Sequence, residues 1–146
     1  MIRTFVDTAV FLRAIDDAPT MRDQRAAAIG LLSDPARELV TSPLALAQMY
    51  AAITGRAKGA ARRMAEVSAR RALSELSQIP TVPFDQRALS YTLDLLARRQ
   101  MQLWDAVLWA SAILDHCHEY ASFDAPGLPH AIDGVRFMNP LDLAPG

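Results

Sequence analysis

The stretch FVDTAVFLRA, residues 5–14, decides how the rest of the chain is read. Phe5 and Val6 close a short apolar run, Asp7 follows at once, and from Thr8 onward apolar residues recur at helical spacing. The pattern predicts a buried strand over 2–6 that ends on a carboxylate and turns directly into a helix. A charge at the end of a buried strand loses hydration, and a hydrogen bond, a cation or a metal must compensate it.

Downstream, helical spacing recurs in MRDQRAAAIGLL, which ends near Ser33-Asp34-Pro35, and ELVTS gives a brief strand. Ser42 as N-cap and Pro43 at the first helical position open the helix of SPLALAQMYAAIT. An Ala- and Arg-rich helix is expected over 60–76, a short strand at TVPF, and helices over DQRALSYTLDLLARR and MQLWDAVLWASAILDHC. EYASFD reads as a strand, FDAPGLPH as a loop and VRFMNP as a last strand. Strands separated by helices predict an α/β protein whose parallel sheet is covered on both faces.

The 146 residues, 51% of them hydrophobic, suit one core and therefore one globular domain. The formal net charge of -1 offers no whole-molecule attraction for nucleic acid or an anionic membrane, so any such binding needs a local patch. Fourteen of the fifteen basic residues are Arg, a residue suited to bidentate phosphate contacts. One patch stands out: Arg56, Lys58, Arg62, Arg63, Arg70 and Arg71 accompany a single acid, Glu66. Such a segment is either a solvated or protein-binding face, or a guide for an RNA backbone. With no basic start before an apolar stretch, no apolar run of membrane-spanning length and one cysteine, Cys117, the expectation is a soluble, cytoplasmic protein.

Ligands in open α/β sheets gather at the C-terminal ends of the strands, and three acids are expected on that rim. Asp7 ends the first strand, Asp105 opens the WDAVLWASA helix, and Asp124 follows the EYASF strand. Taken singly, each has an ordinary role as a cap, a first-turn acid or a loop residue. Converging together, they would repel one another unless a divalent cation lay between them.

FVDTAVFL, SPLALAQMY, WDAVLWASAILDHCHEYASFD and the terminal VRFMNP, in this order, resemble the PIN-domain family, and most closely its small VapC-type toxins. The specific part is WDA followed by an apolar helix, a cysteine, a strand and Asp124. The resemblance implies one PIN-like α/β/α sandwich over 1–146, with a core of about 2–143 and a short, mainly parallel central sheet. It implies a metal-dependent endoribonuclease toxin that takes an RNA substrate. It further implies that Asp7, Asp105 and Asp124 fall on positions that hold Mg²⁺ or Mn²⁺, and that the protein is a homodimer silenced by a cognate VapB-like antitoxin.

Two positions depart from the family pattern. Gln48 stands where the middle helix normally carries Glu, and Ala9 where relatives commonly have Asn or Ser. Lost outer partners of a metal site typically lower affinity or activity about 10- to 100-fold. Gln48 therefore joins the candidate catalytic residues as a neutral member, and the alternative is a catalytically inactive PIN-fold protein acting through antitoxin or RNA binding. Other signals are set aside. No GK[ST] follows the glycines of GRAKGAARR, His116-Cys117-His118 lacks a second ligand pair for zinc, and a haloacid-type phosphatase needs an Asp where Ala9 stands. Trp104 and Trp109 are too far apart in helical angle to share one narrow stripe, and core packing is expected for one or both.

Overall fold

The structure is a computed structural model that describes residues 1–123 and 130–143. Five strands form one sheet in the order β2-β1-β3-β5-β4, where β1 is Ile2–Val6, β2 Arg37–Val40, β3 Glu119–Ala121, β4 Ala131–Ile132 and β5 Val135–Met138. β1 lies parallel to both β2 and β3, and β3 parallel to β5; only β4 is antiparallel. Helices α1 (Thr8–Ala14), α2 (Arg22–Leu32), α3 (Pro43–Ile53), α4 (Glu66–Leu76), α5 (Gln86–Arg98) and α6 (Leu103–Leu114) flank this sheet. None is long and apolar enough to cross a membrane.

Local chemistry starts α3 and α5 where the sequence predicts. The Ser42 hydroxyl accepts from the Leu44 N–H at 3.1 Å ahead of Pro43, and the Asp85 carboxylate accepts from the Ala88 N–H at 3.0 Å. α6 is buried continuously from Ala106 to Ala112. Its Trp109 stacks on Tyr120 of β3 with ring centroids 4.2 Å apart, and Tyr120 stacks on Phe5 of β1 at 5.3 Å. Three fully buried aromatics thus fix helix and strands to one another.

The expected helix over 60–76 begins only at Glu66. Gly55 and Gly59 adopt φ of 78° and 79°, a region open to glycine, and the chain folds back on the end of α3. The N–H groups of Arg56 and Ala57 donate to the Ala51 carbonyl at 2.8 and 3.0 Å, and those of Arg63 and Met64 to the Ile53 carbonyl at 2.9 and 3.1 Å. The open carbonyls of the α3 C-terminus are satisfied by this loop. TVPF makes a single bridge, Thr81 to Thr41, because Pro80 and Pro83 have no N–H to extend a ladder. The β4–β5 hairpin was not expected. It turns on Asp133 and Gly134, both with positive φ, at 47° and 87°.

A buried carboxylate ties four strands together. Glu119 is fully buried; its Oε1 accepts from Arg37 Nε of β2 at 2.6 Å and from the Thr4 hydroxyl of β1 at 2.9 Å, and its Oε2 from Arg136 of β5 at 3.2 Å. Burial pushes its pKa up, yet these bonds and the Arg37 charge outweigh burial and leave it below the usual carboxylate range. Removing one partner of a buried pair leaves an uncompensated charge. Arg37→Met should therefore cost about 3 kcal/mol in chemical denaturation, whereas Arg136→Met, at a largely exposed side chain, should cost at most about 1 kcal/mol. Equal losses would remove Arg37 from its place as the main counterion.

Candidate functional site

The site forms where β1 and β3 end side by side. The Asp7 N–H donates to the Ala121 carbonyl at 3.1 Å, which extends the parallel ladder one residue beyond the strand. That bond sets Asp7 opposite Ser122, whose hydroxyl donates to Asp7 Oδ2 at 2.6 Å. Asp7 Oδ1 accepts from the Thr8 N–H at 2.7 Å and so caps α1. Strand end, helix start and carboxylate are one local structure.

Asp7 keeps some accessible surface, but protein crowds its carboxyl closely. Burial is the main reason that its pKa rises to about 6. The bonds from Ser122 and Thr8 oppose that rise, the negative charge of Asp105 adds to it, and the Tyr120 hydroxyl draws it slightly down. Tyr120 is itself pushed well above its usual value, first by burial and then by the charges of Asp7 and Asp105. Asp105, in the first turn of α6, is thus close enough for both groups to feel its charge. The charge of Asp105 thus reaches both Asp7 and Tyr120.

Gln48 is also here, at one remove. Its Oε1 accepts from the Thr8 hydroxyl at 2.8 Å, so a chain runs from Gln48 through Thr8 to Asp7. Ala9 is buried in α1. Asp124 lies outside the described residues. Sequence reasoning missed Ser122, Tyr120 and Thr8. Thr8 had a legible signal as the residue after Asp7, but Ser122 and Tyr120 become neighbours of Asp7 only through the register Val6↔Ala121.

Asp7 and Asp105 offer carboxylate oxygens, the donor type that hard divalent cations take. Among the described residues no group of three or more His, Cys, Asp or Glu is gathered for a metal. Two residues of the His116-Cys117-His118 run have structural surroundings. His118 Nδ1 accepts from the Arg3 N–H at 2.9 Å, and Cys117 is buried with its thiol pushed up to about 12, chiefly by burial. Of the two tryptophans, Trp109 is core while Trp104, beside Asp105, is 55% exposed.

The family profile described as PIN domain matches residues 4–125. No curated protein matches the chain. Among solved structures, VapBC2 from Rickettsia felis, bound to a promoter DNA fragment, gives a TM-score of 0.66 at 12% identity, over 94% of this chain and 98% of that one. The sarcin-ricin loop cleaving toxin VapC20 of Mycobacterium tuberculosis gives 0.64 at 19% identity, over 91% and 98%. A toxin-antitoxin complex from Klebsiella pneumoniae gives 0.65 at 18% identity, over 94% and 97%. At these identities the likeness is one of fold, and the fold is that of VapC toxins.

The raised pKa of Asp7 fixes the sign of a pH effect. An unfolded Asp ionises near about 3.9, so near pH 4 and below this group adds no folding penalty. As pH rises toward about 6, the folded protein must ionise a crowded carboxyl, and stability is lost up to a plateau above that value. In EDTA, the stability of Asp7→Asn relative to wild type should therefore increase from pH 4 to pH 8 by an amount on the order of 2 kcal/mol. Urea titrations at both pH values test this, and a pH-independent difference would contradict a raised Asp7.

Proposed function

This chain belongs to the PIN-domain family, and from that premise we propose that it is a Mg²⁺- or Mn²⁺-dependent endoribonuclease, the toxin of a toxin-antitoxin pair. The observation that carries the reading is the pairing of Asp7, a crowded carboxyl raised to about 6, with the nearby charge of Asp105. No arginine or lysine pairs with Asp7 among the described residues, and a cation bound beside it would offset the burial and the Asp105 charge that raise its pKa. An all-oxygen donor set at such a place fits a hard divalent cation. Asp7 and Asp105 would hold it, and Asp124 is proposed as the third ligand from its place two residues beyond Ser122.

Bound there, the cation supplies Lewis acidity and offsets the charge that grows on a phosphodiester as it is hydrolysed. The chain's own contribution is preorganisation. Ser122 and the Thr8 N–H fix the two oxygens of Asp7, Gln48 fixes the Thr8 hydroxyl, and the stacked Tyr120 backs the site with a rigid wall. The proposed partner is a VapB-like antitoxin, supported by relatives solved as toxin-antitoxin complexes. In the proposed assembly, a homodimer of one-domain protomers spanning 1–146, the single domain rests on length and composition and the dimer on the family resemblance alone. A second reading, a non-cleaving PIN-fold protein that acts by binding antitoxin or RNA, is favoured by one observation: the Thr8 partner on α3 is a neutral amide.

The deciding experiment is metal-dependent cleavage of a mixed tRNA and rRNA pool, with Asp7→Asn as control. Cleavage should require Mn²⁺ or Mg²⁺ and be lost in the variant. In parallel, Mn²⁺ should raise the melting temperature by binding the folded state, and Asp105→Asn should abolish most of the rise. Melting curves that ignore millimolar Mn²⁺ would count against the shared site.

Gln48→Glu separates the two readings. A carboxylate can accept the same Thr8 hydroxyl while adding charge next to the proposed cation site. Even at an effective dielectric near 20, two unit charges about 4 Å apart attract by about 4 kcal/mol before desolvation is subtracted. A net gain of about 1 to 2 kcal/mol corresponds to roughly 5- to 30-fold in metal affinity or cleavage rate. The variant should also be somewhat less stable without metal, because it adds a fourth carboxylate to the proposed set of Asp7, Asp105 and Asp124. A variant that binds Mn²⁺ no better and cuts no faster would show that Gln48 is not a disabled ligand.

A further inference from the structure

The charge of this chain is strongly segregated. Six cations and one carboxylate fall between residues 56 and 71, which leaves the remainder acidic in a protein of formal net charge -1. The structure sorts the six by what they already hold. Arg56 pairs with Glu66 and lies over the Tyr50 ring, 5.6 Å from its centroid, and Arg63 reaches Asp16 at 3.4 Å. Lys58, Arg62, Arg70 and Arg71 are exposed, and none has a carboxylate within ion-pair distance among the described residues.

These four are carried on an ordered backbone. The loop that bears Lys58 and Arg62 is tied to the end of α3 by the four N–H bonds to the Ala51 and Ile53 carbonyls. It also approaches Gly55 so closely that a Cβ there would stand 3.1 Å from the Arg62 nitrogen. Arg70 and Arg71 follow on α4, whose 11 residues span about 16 Å. Beyond α4, Thr81 bridges to Thr41, and the Thr41 hydroxyl donates to the Val6 carbonyl at 2.8 Å, one residue from Asp7. The basic surface therefore begins at the far end of α3 and runs along a helix toward the strand ends that carry the candidate site.

We infer that Lys58, Arg62, Arg70 and Arg71 form a docking track for the phosphate backbone of single-stranded RNA, leading along α4 toward Asp7. The inference rests on the ribonuclease reading for its choice of polyanion. The surface chemistry favours phosphate over an acidic protein. Between residues 56 and 71 the only large hydrophobic side chain counted as exposed is Val67, whereas protein interfaces are built on apolar and aromatic anchors. Guanidinium groups in series meet phosphate oxygens independently of base sequence, and so hold a strand in register without choosing the scissile bond.

The test is fluorescence anisotropy with a labelled single-stranded RNA of mixed sequence over a KCl series. The protein is full-length Asp7→Asn in EDTA, so that binding is read without cleavage. On that background, Lys58→Gln, Arg62→Gln, Arg70→Gln and Arg71→Gln are combined, and a control combines Arg22→Gln, Arg25→Gln and Arg87→Gln, exposed arginines elsewhere. Each lost phosphate contact should reduce the slope of log K against log salt by about 0.7. The track variant should lose about tenfold or more in affinity at low salt, with far less change per charge in the control. Circular dichroism melts should match, since all the replaced side chains are exposed. No RNA binding, an unchanged slope, or an equal loss per charge in the control overturns the track. Cleavage by the wild-type protein is scored separately: a reduced slope without cleavage keeps the track and removes the ribonuclease.

Discussion

The lateral pairing of β1 with β3 is the constraint on which the site depends. Thr4, Phe5 and Val6 pair with Glu119, Tyr120 and Ala121, and the Asp7 N–H extends the ladder to the Ala121 carbonyl. These strands are far apart in sequence, so the pairing alone decides what Asp7 faces. Shifting it by one residue would exchange the faces of every side chain on the strand, breaking the Phe5–Tyr120–Trp109 stack and parting Ser122 from Asp7. The stack and the Glu119 cluster both hold this register, one by aromatic packing and the other by charge.

Two acids on these neighbouring strands show how environment divides roles. Glu119 is fully buried, yet Arg37, Thr4 and Arg136 hold its pKa below the usual range. Asp7 retains some exposure but has hydroxyl and amide donors in place of cations, and a second carboxylate nearby, and its pKa rises to about 6. Among the described residues, arginines meet the charge of Glu119 and none is paired with Asp7. A carboxyl held this way is costly unless something positive arrives, and that links the local energetics of β1 to the proposed metal dependence. Gln48, joined to Asp7 through Thr8, moderates that cost, because a carboxylate in its place would add repulsion to the metal-free protein.

The same separation of charge appears on the scale of the molecule. Asp7 lies at a strand end within reach of the Asp105 charge, while four exposed cations with no ion-pair partner among the described residues lie on α4 and the loop before it. A near-neutral chain can thus present opposite potentials to a metal and to a polyanion. The formal net charge of -1 hides this arrangement.

What the sequence by itself determined was local. Asp7 as a strand end and helix cap, Ser42-Pro43 as a helix start, the long apolar helix through Trp109 and the mostly parallel α/β class all follow from rules spanning a few residues. The Asp133-Gly134 turn is equally local, and Gly55 and Gly59 signal the late start of α4 in a stretch whose Ala-rich composition favours helix. The order of motifs reached further and pointed to the family. Only the tertiary structure decided which groups share the site. Ser122 and Tyr120 lie more than a hundred residues from Asp7, and Gln48 meets Thr8 across two helices. Partners of that kind are set by strand register and helix packing, and the resulting pKa of Asp7 comes from desolvation and neighbouring charge, which no local pattern encodes.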